Sequence, residues 1–311
     1  MDRILVTPRS LTAAPPPELA LLEEQGFELV FTRPGQQPSE AELIELVPGC
    51  VGWLAGVEPV SNDVVRAADR LRAISRNGVG VDNLPLDELK RRGIRVLRAE
   101  GANSVGVAEL AIGLILSALR HIPAVDVGIK AGGWPRLRGL EISGRTVGLL
   151  GCGAIGRHVA QVMSAMGARI IAYDPFRPSF DVPGPFGWLD IDGVFAQADI
   201  VSLHCPPAPD GRPIVDARRL RLMKPQSVLV NTARATLVDE AAIRDALDEN
   251  RLAAFATDVF HEEPPPPDSL AAHPRVVATS HIGGFTEESV SKATRLAVVN
   301  LLDALASAPA Q

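Results

Sequence analysis

The sequence predicts an α/β protein with two doubly wound parallel sheets, and three observations carry that prediction. Short β-branched runs alternate with helix-like stretches through most of the 311 residues, the pattern of βαβ units in a sheet covered on both faces. The alternation comes in two series, one running to about residue 99 and another starting at Thr146. Two long helical patterns, NSVGVAELAIGLILSALRHI and TEESVSKATRLAVVNLLDALASA, lie between the series and after the second. If the last helix returns to the first unit, the second unit is an insertion within the first, with a cleft between them.

Each element has its own signal. ILVT (Ile4–Thr7) reads as a strand, and PPPELALLEEQG after it as a helix, with Pro17 suited to its start and Gly26 to its stop. FELVFT, CVGWLA, LRAIS and IRVLRA are further strands, separated by helix-like stretches such as SNDVVRAADR and PLDELKRRG. The second series holds TVGLLG, RIIAYD, DIVSLHC, SVLVNTA, LAAFATDVF and RVVATSH. EEPPPPDS (Glu262–Ser269) is a short proline loop, too stiff for a flexible linker.

Composition bounds the function. Hydrophobic residues make up 46% and charged residues 22%, values of a globular chain rather than a disordered one. A net charge of −6 offers no general attraction to nucleic acid or anionic membrane. Cys50, Cys152 and Cys205 are odd in number, far apart and without C-x-x-C spacing, so neither a disulfide framework nor a metal site is expected. The opening MDRILVTPRS lacks the apolar run of a signal peptide, and the longest apolar run, LAIGLILSAL, is too short for a bilayer span. A cytoplasmic location is the expectation.

The stretch GCGAIGRHVAQVMSAMGARIIAYD carries the strongest chemical signal. Gly151, Gly153 and Gly156 form G-x-G-x-x-G between an apolar strand and a helix, with Ala154 and Ile155 inside the motif. The first glycine permits the tight turn, the second admits a pyrophosphate close to the backbone, and the third lets helix pack on strand. The helix start offers N–H groups and the positive end of its dipole. Asp174 ends the next strand, where a carboxylate can accept from ribose hydroxyls. The expected cofactor is NAD rather than NADP, because Asp174 would repel a 2′-phosphate. Arg177 nearby would soften that repulsion.

Other polar residues fall at strand ends of the same unit, the edge at which open α/β sheets hold ligands. Arg234 follows SVLVNTA, Asp258 ends AAFATD with Glu263 five residues on, and His281 follows RVVATS. An imidazole beside a carboxylate is a general acid/base, and a guanidinium can grip a carboxylate at two points.

Through these blocks the chain resembles the D-isomer-specific 2-hydroxyacid dehydrogenase family, and within it the short D-3-phosphoglycerate dehydrogenases. The resemblance rests on RNGVGVDNLPLDELKRRGIRV, GANSVGVAELAIGLIL, LEISGRTVGLLGCGAIGRHVAQVMSAMGARIIAYDP, VLVNTARATLVDEAAI, ATDVFHEEP and SHIGG, which span about residues 72–290 in family order. It implies that Arg234 binds the substrate carboxylate and carbonyl, Glu263 orients the histidine, and His281 exchanges the proton. The turn Asn77, Gly78, Val79, Gly80 would face the substrate. Further cofactor contacts are expected at Cys205, Pro206, Thr232, Asp258 and Gly283. The implied fold is a Rossmann cofactor domain, residues 99–285, inserted in a flavodoxin-like substrate domain, residues 1–98 and 286–311. The helix near Asn103–Arg120 and the arm after it would form a homodimer interface.

The expected reaction is hydride transfer between NAD and C2 of a small hydroxy acid that carries a second anionic group, a phosphate or phosphonate, with closure of the two domains excluding water. Two alternatives stand beside the phosphoglycerate-type reading. One is a glyoxylate or hydroxypyruvate reductase, and the other a non-enzymatic NAD-sensing protein of the corepressor kind. Three departures from the family pattern bear on this. Ala235 follows the arginine where glycine is usual, which is tolerable if the backbone there keeps φ negative. Ser280 stands where proline is common. In VGWLAGVEPVSNDVV, Ala55 and Gly56 occupy the place where phosphoglycerate dehydrogenases carry a cation for the phosphate. A second anionic group on the substrate would need other cations, and the candidates are Arg76, Arg136 and Arg138.

Overall fold

The structure is a computed structural model, and it describes residues 1–307. Tertiary contacts divide the chain into two compact units. One comprises Met1–Asn103 and the described part of Glu287–Gln311, and the other Ser104–Thr286.

The first unit holds a parallel sheet of β1 (Arg3–Val6), β2 (Glu28–Phe31), β3 (Cys50–Ala55), β4 (Ala73–Arg76) and β5 (Arg95–Arg98), in the order β2-β1-β3-β4-β5. The register aligns Val6 with Phe31 and Leu54, and Ala55 with Arg76, so β1 to β4 end at one level. Alternation along the strands feeds two cores: in β1, Leu5 points to one face while Ile4 and Val6 point to the other. The second face is covered by helix Glu287–Ala306 through Ala297, Val298, Leu301, Ala304 and Leu305. Ser75, buried in β4, donates to Ala297 O of that helix at 2.7 Å. The last helix therefore belongs to the first unit.

The second unit holds seven parallel strands: β6 (Thr146–Leu150), β7 (Arg169–Tyr173), β8 (Phe186–Trp188), β9 (Ile200–Leu203), β10 (Ser227–Asn231), β11 (Leu252–Thr257) and β12 (Val276–Ala278). Their order is β12-β11-β10-β9-β6-β7-β8. One face packs on helices Ser104–Arg120 and Ala154–Ala165, the other on Ile191–Gln197, Ala217–Leu222 and Glu240–Asp248. In both sheets the strand order reverses once, between β1 and β3 and between β6 and β9. Such reversals open a crevice at the strand C-termini.

Four details differ from the expectations. The seams fall at 103/104 and 286/287 rather than 98/99 and 285/286, because Ala99 and Ala102 still pack with Ala293 in the first unit. Strand β8 has no counterpart among the expected strands. It is a three-residue edge strand in a proline- and glycine-rich segment, pinned by edge-to-face rings of Phe180, Phe186 and Trp188 with centroids 4.9–6.2 Å apart. The first helical pattern is a 3₁₀ turn, Pro17–Leu19, leading into Ala20–Glu24, and the long central pattern breaks at His121, whose φ is +54°. Helix Ile122–Lys130 follows at a 65° bend. Among the described residues no single helix is long and apolar enough to cross a membrane.

Candidate active site

The crevice beside β6 is shaped by its glycines. Gly151 turns the chain at φ +97°, and a Cβ there would sit 2.5 Å from His204 O. A Cβ on Gly156 would sit 2.1 Å from Gly151 O, so helix and strand touch backbone to backbone. Gly153 is different: a Cβ would meet nothing within 4 Å. It is the N-cap of the twelve-residue helix Ala154–Ala165, and no side chain caps that helix. The first-turn N–H groups, those of Ala154 and Ile155 among them, are thus left without a side-chain acceptor beside an open surface.

Asp174, one residue past β7, is tied to the same loop. Its Oδ2 accepts from Cys152 N at 2.8 Å and its Oδ1 from Phe176 N at 2.9 Å. Arg177 follows at φ +43°. Burial pushes the Cys152 thiol up to about 12 and the Cys205 thiol up to about 11, so both stay protonated and neither is a nucleophile at neutral pH. Pro206 follows Cys205 on the exposed loop after β9.

Of the buried side-chain polar atoms that make no hydrogen bond among the described residues, two fall on this edge: Nδ1 of His204, just past β9, and Oγ1 of Thr232, just past β10. His204 Nε2 is 2.9 Å from Ser202 Oγ, and burial lowers its pKa to about 4, so the ring is neutral. Unsatisfied buried groups are costly and rare. Here they line the edge that a nucleotide would cover. With the open surface at Gly153 and the Asp174 carboxylate, they make this edge fit a dinucleotide. His204 was not expected from sequence, although its place directly after an apolar strand was a usable signal.

The polar strand ends further along the edge converge. His281 Nδ1 lies 2.9 Å from both carboxylate oxygens of Glu263, and Phe260 N donates to Glu263 Oε1 at 3.1 Å. The imidazole is half exposed, with its Nε2 the nitrogen not engaged by Glu263. His281 is a non-glycine residue at φ +56°, a conformation that needs support. Asp258 gives it. Its buried carboxylate accepts from Thr279 Oγ1 at 2.6 Å, Ile282 N at 2.9 Å and Gly283 N at 2.8 Å, which brackets the histidine on both sides. Asp258 and Gly283, expected at the cofactor, are thus joined to each other in the loop that carries His281.

Arg234 is half-buried after β10. Its Nη1 donates to Ala233 O at 2.8 Å, while Asn231 Nδ2 donates to Arg234 O at 2.8 Å and fixes the turn. Ala235 opens the 3₁₀ turn Ala235–Leu237, and its φ is negative, so the alanine fits where glycine is usual. No group of three or more His, Cys, Asp or Glu among the described residues could hold a metal.

In the first unit, Asn77, Gly78 and Val79 follow β4. Asn77 N donates to Ala55 O at 2.9 Å, and Gly78 takes φ +148°, which only glycine adopts readily. Arg76 is buried and donates from Nη1 to Asn77 O at 2.8 Å. Arg136 and Arg138 are exposed on the arm after helix Ile122–Lys130.

The comparisons with known proteins agree with this geometry. Residues 112–283 match the model of the D-isomer specific 2-hydroxyacid dehydrogenase family, NAD binding domain. A D-3-phosphoglycerate dehydrogenase of Methanocaldococcus jannaschii is 41% identical over 235 residues, covering 74% of this chain and 45% of the relative. A hydroxypyruvate reductase of Thermotoga maritima is 38% identical over 254 residues, covering 80% of this chain and 82% of the relative. The chain thus spans about half the length of the phosphoglycerate dehydrogenases it matches and most of the reductase. The crystal structure of the TT0316 protein from Thermus thermophilus superposes with a TM-score of 0.87 at 34% identity, covering 98% of this chain and 97% of that one. A glycine-bounded nucleotide crevice, an ordered His–Glu pair and these likenesses lead to one conclusion: the chain belongs to the D-isomer specific 2-hydroxyacid dehydrogenase family and carries its NAD-binding domain.

Proposed function

We propose that the protein is an NAD-dependent dehydrogenase that interconverts a small D-2-hydroxy acid and its 2-keto acid. The observation that carries the reading is the 2.9 Å His281–Glu263 pair, with Arg234 at the same sheet edge as the nucleotide crevice. When bound, the nicotinamide supplies the hydride chemistry. The chain's own residues do the rest. His281 Nε2 takes the hydroxyl proton in oxidation and returns it in reduction. Glu263 holds Nδ1, fixes the ring's orientation and stabilises the imidazolium. Arg234 binds the carboxylate and stabilises negative charge on the reacting oxygen. In the Asn77–Val79 turn, expected at the substrate, the N–H groups of Asn77 and Gly78 already donate to Ala55 O and Arg76 O. Gly151, Gly153, Gly156 and the helix start would hold the pyrophosphate, Asp174 the ribose, and His204, Cys205, Pro206 and Thr232 the remainder of the nucleotide.

The arm supports a homodimer reading. Helix Ile122–Lys130 buries none of its residues, and Ile122, Val127, Ile129, Trp134 and Leu137 are all exposed on it or just after it. An apolar face of that kind is covered in stable assemblies, and a second copy of the chain is the proposed cover. Sedimentation equilibrium tests it, with a monomer at micromolar concentration as the contrary result.

Turnover tests the main reading. The protein is assayed with NADH against glyoxylate, hydroxypyruvate, pyruvate and a phosphorylated keto acid, and the configuration of the product is determined. Reduction to a D-hydroxy acid supports the proposal. NADH binding without turnover of any acid would support the cofactor-sensing alternative instead.

A further inference from the structure

We infer that His204 keeps its ring proton on Nδ1, because Ser202 donates its hydroxyl to Nε2, and that this N–H is offered to an acceptor oxygen of the bound dinucleotide. Ser202 is then a positioning residue that acts through the histidine. The inference deepens the NAD-dependent reading above and rests on it for the identity of the ligand. All the residues involved lie in the second unit. His204 follows β9 and is built into the glycine turn. Its N donates to Leu150 O at 2.7 Å, a Cβ on Gly151 would sit 2.5 Å from the His204 carbonyl oxygen, and a Cβ on Gly156 would sit 3.6 Å from the His204 Cβ. The side chain therefore leaves the backbone beside the turn that a pyrophosphate would cross.

The tautomer follows from which buried groups can be satisfied. Ser202 is fully buried in β9, and its Oγ lies 2.9 Å from His204 Nε2, its one hydrogen-bond partner among the described residues. Suppose Nε2 carried the proton and donated to Oγ. The Ser202 hydroxyl hydrogen would then lack an acceptor, and the bare Nδ1 would be a second unmet group. If Ser202 donates to Nε2 instead, its hydrogen is used and Nδ1–H is the one donor left over. Each stranded buried polar group costs free energy, so the second arrangement is favoured. A proton on both nitrogens is opposed by burial, which lowers the pKa of the ring to about 4.

Nδ1 is buried and makes no hydrogen bond among the described residues. The neighbouring strand does not supply an acceptor. Thr232 comes beside His204 when the Ser202–Val230 and Leu203–Asn231 register is continued, yet its own Oγ1 is also unbonded. Nδ1 is attached to the carbon next to the Cβ that faces Gly156, so the donor stays close to the glycine turn. Ligands gather at that edge of the sheet, and a dinucleotide brings many acceptor oxygens to it. A neutral donor also suits the reaction. His281 gains and loses a proton in each cycle, and an N–H that stays uncharged holds the nucleotide without adding a second titration to the crevice.

Nitrogen-15 NMR of histidine-labelled protein at neutral pH reads the tautomer without turnover, and His204→Asn identifies the resonance by its loss. The spectrum should show a protonated Nδ1 and a bare Nε2, and addition of NADH alone should shift the Nδ1–H signal. NADH fluorescence then measures affinity. An asparagine amide sets an N–H near the Nδ1 position, whereas a glutamine amide sets one near Nε2. His204→Asn should therefore keep the NADH dissociation constant within about threefold of wild type, and His204→Gln should raise it about tenfold. Ser202→Ala should bring Nε2-protonated ring into the spectrum. A proton on Nε2 in wild type, an Nδ1–H signal indifferent to NADH, equal NADH affinities of the two His204 variants, or no NADH binding at all would overturn the inference. The wild-type spectrum alone decides if a variant does not fold. If the Nδ1–H signal responds to NADH but no keto acid is reduced in the separate turnover assay, the dehydrogenase reading fails and the role of His204 stands.

Discussion

The two sheets share a plan and differ at their reversal points. Between β6 and β9 the edge is left incomplete: Gly153 faces open space, a helix start lacks a cap, and His204 Nδ1 and Thr232 Oγ1 have no partner among the described residues. At the β1/β3 reversal Thr7, Trp53, Gly56 and Glu58 hydrogen-bond to one another, and further along that sheet edge Thr32 Oγ1 is left without a partner among the described residues. An edge with unmet hydrogen-bonding capacity is built to be finished by a ligand. Topology alone does not separate the two, and the side chains after each strand do.

The sharpest way to break this comparison is to remove the group that does chemistry at the open edge. His281→Ala should lower kcat by about 10²–10⁴-fold while the NADH dissociation constant, read by fluorescence, stays within about threefold. Near-native turnover would remove His281 from the reaction.

The glycines sharpen the comparison within the open edge. Gly156→Ala drives a methyl into Gly151 O and should cost roughly 1–3 kcal/mol or more of stability, seen in chemical denaturation. Gly153→Ala meets nothing and should leave stability within about 0.5 kcal/mol, yet weaken NADH by about tenfold because it fills the approach to the helix start. Equal effects of the two on stability would contradict the packing described here.

His204 gives a signature in pH. Its pKa falls from 6.5 to about 4 in the fold, so the folded state favours the neutral ring. The stability this confers is complete above 6.5, declines as pH drops between 6.5 and 4, and is gone below 4. The total is about 3 kcal/mol at 1.36 kcal/mol per unit. A His204→Gln variant should flatten thermal melting over that window relative to wild type. Identical pH dependence would show that the ring is not shut off from solvent.

The β1/β3 reversal should respond in stability and hardly at all in nucleotide affinity. Thr7→Val strands the Trp53 N–H and removes a donor from Glu58, which should cost about 1–3 kcal/mol. NADH affinity should hold within twofold or so, and a large loss would mean that the two units are energetically coupled in the resting protein.

Much of this was legible in the sequence, because it depends on local chemistry. The βαβ alternation located eleven of the twelve strands through runs such as CVGWLA and SVLVNTA, whose burial on both faces demands unbroken apolar residues. The glycine motif and Asp174 were legible because each sits at a fixed offset from a strand. Strand β8 was not, since three residues at an edge carry no periodicity. Nor were the partners of Glu58, Asp258 and His204. Thr7 and Glu58 are 51 residues apart, and Asp258 and Gly283 are 25 apart. Such pairs exist only once the sheet has aligned its strand ends.

The return of helix Glu287–Ala306 to the first sheet has a consequence in time. On a ribosome, Ile4, Val6 and Leu54 are made early, but the helix residues that cover them, Val298, Leu301 and Leu305, come after the whole second unit. Ser104–Thr286 is continuous in sequence and has both faces of its sheet supplied from within, so it can close while the first hundred residues still wait. During that interval the uncovered face of β1 and β3 is the surface most in need of a chaperone, and synthesis that stalls near residue 290 would leave a chain with a finished nucleotide crevice attached to a half-built, aggregation-prone partner.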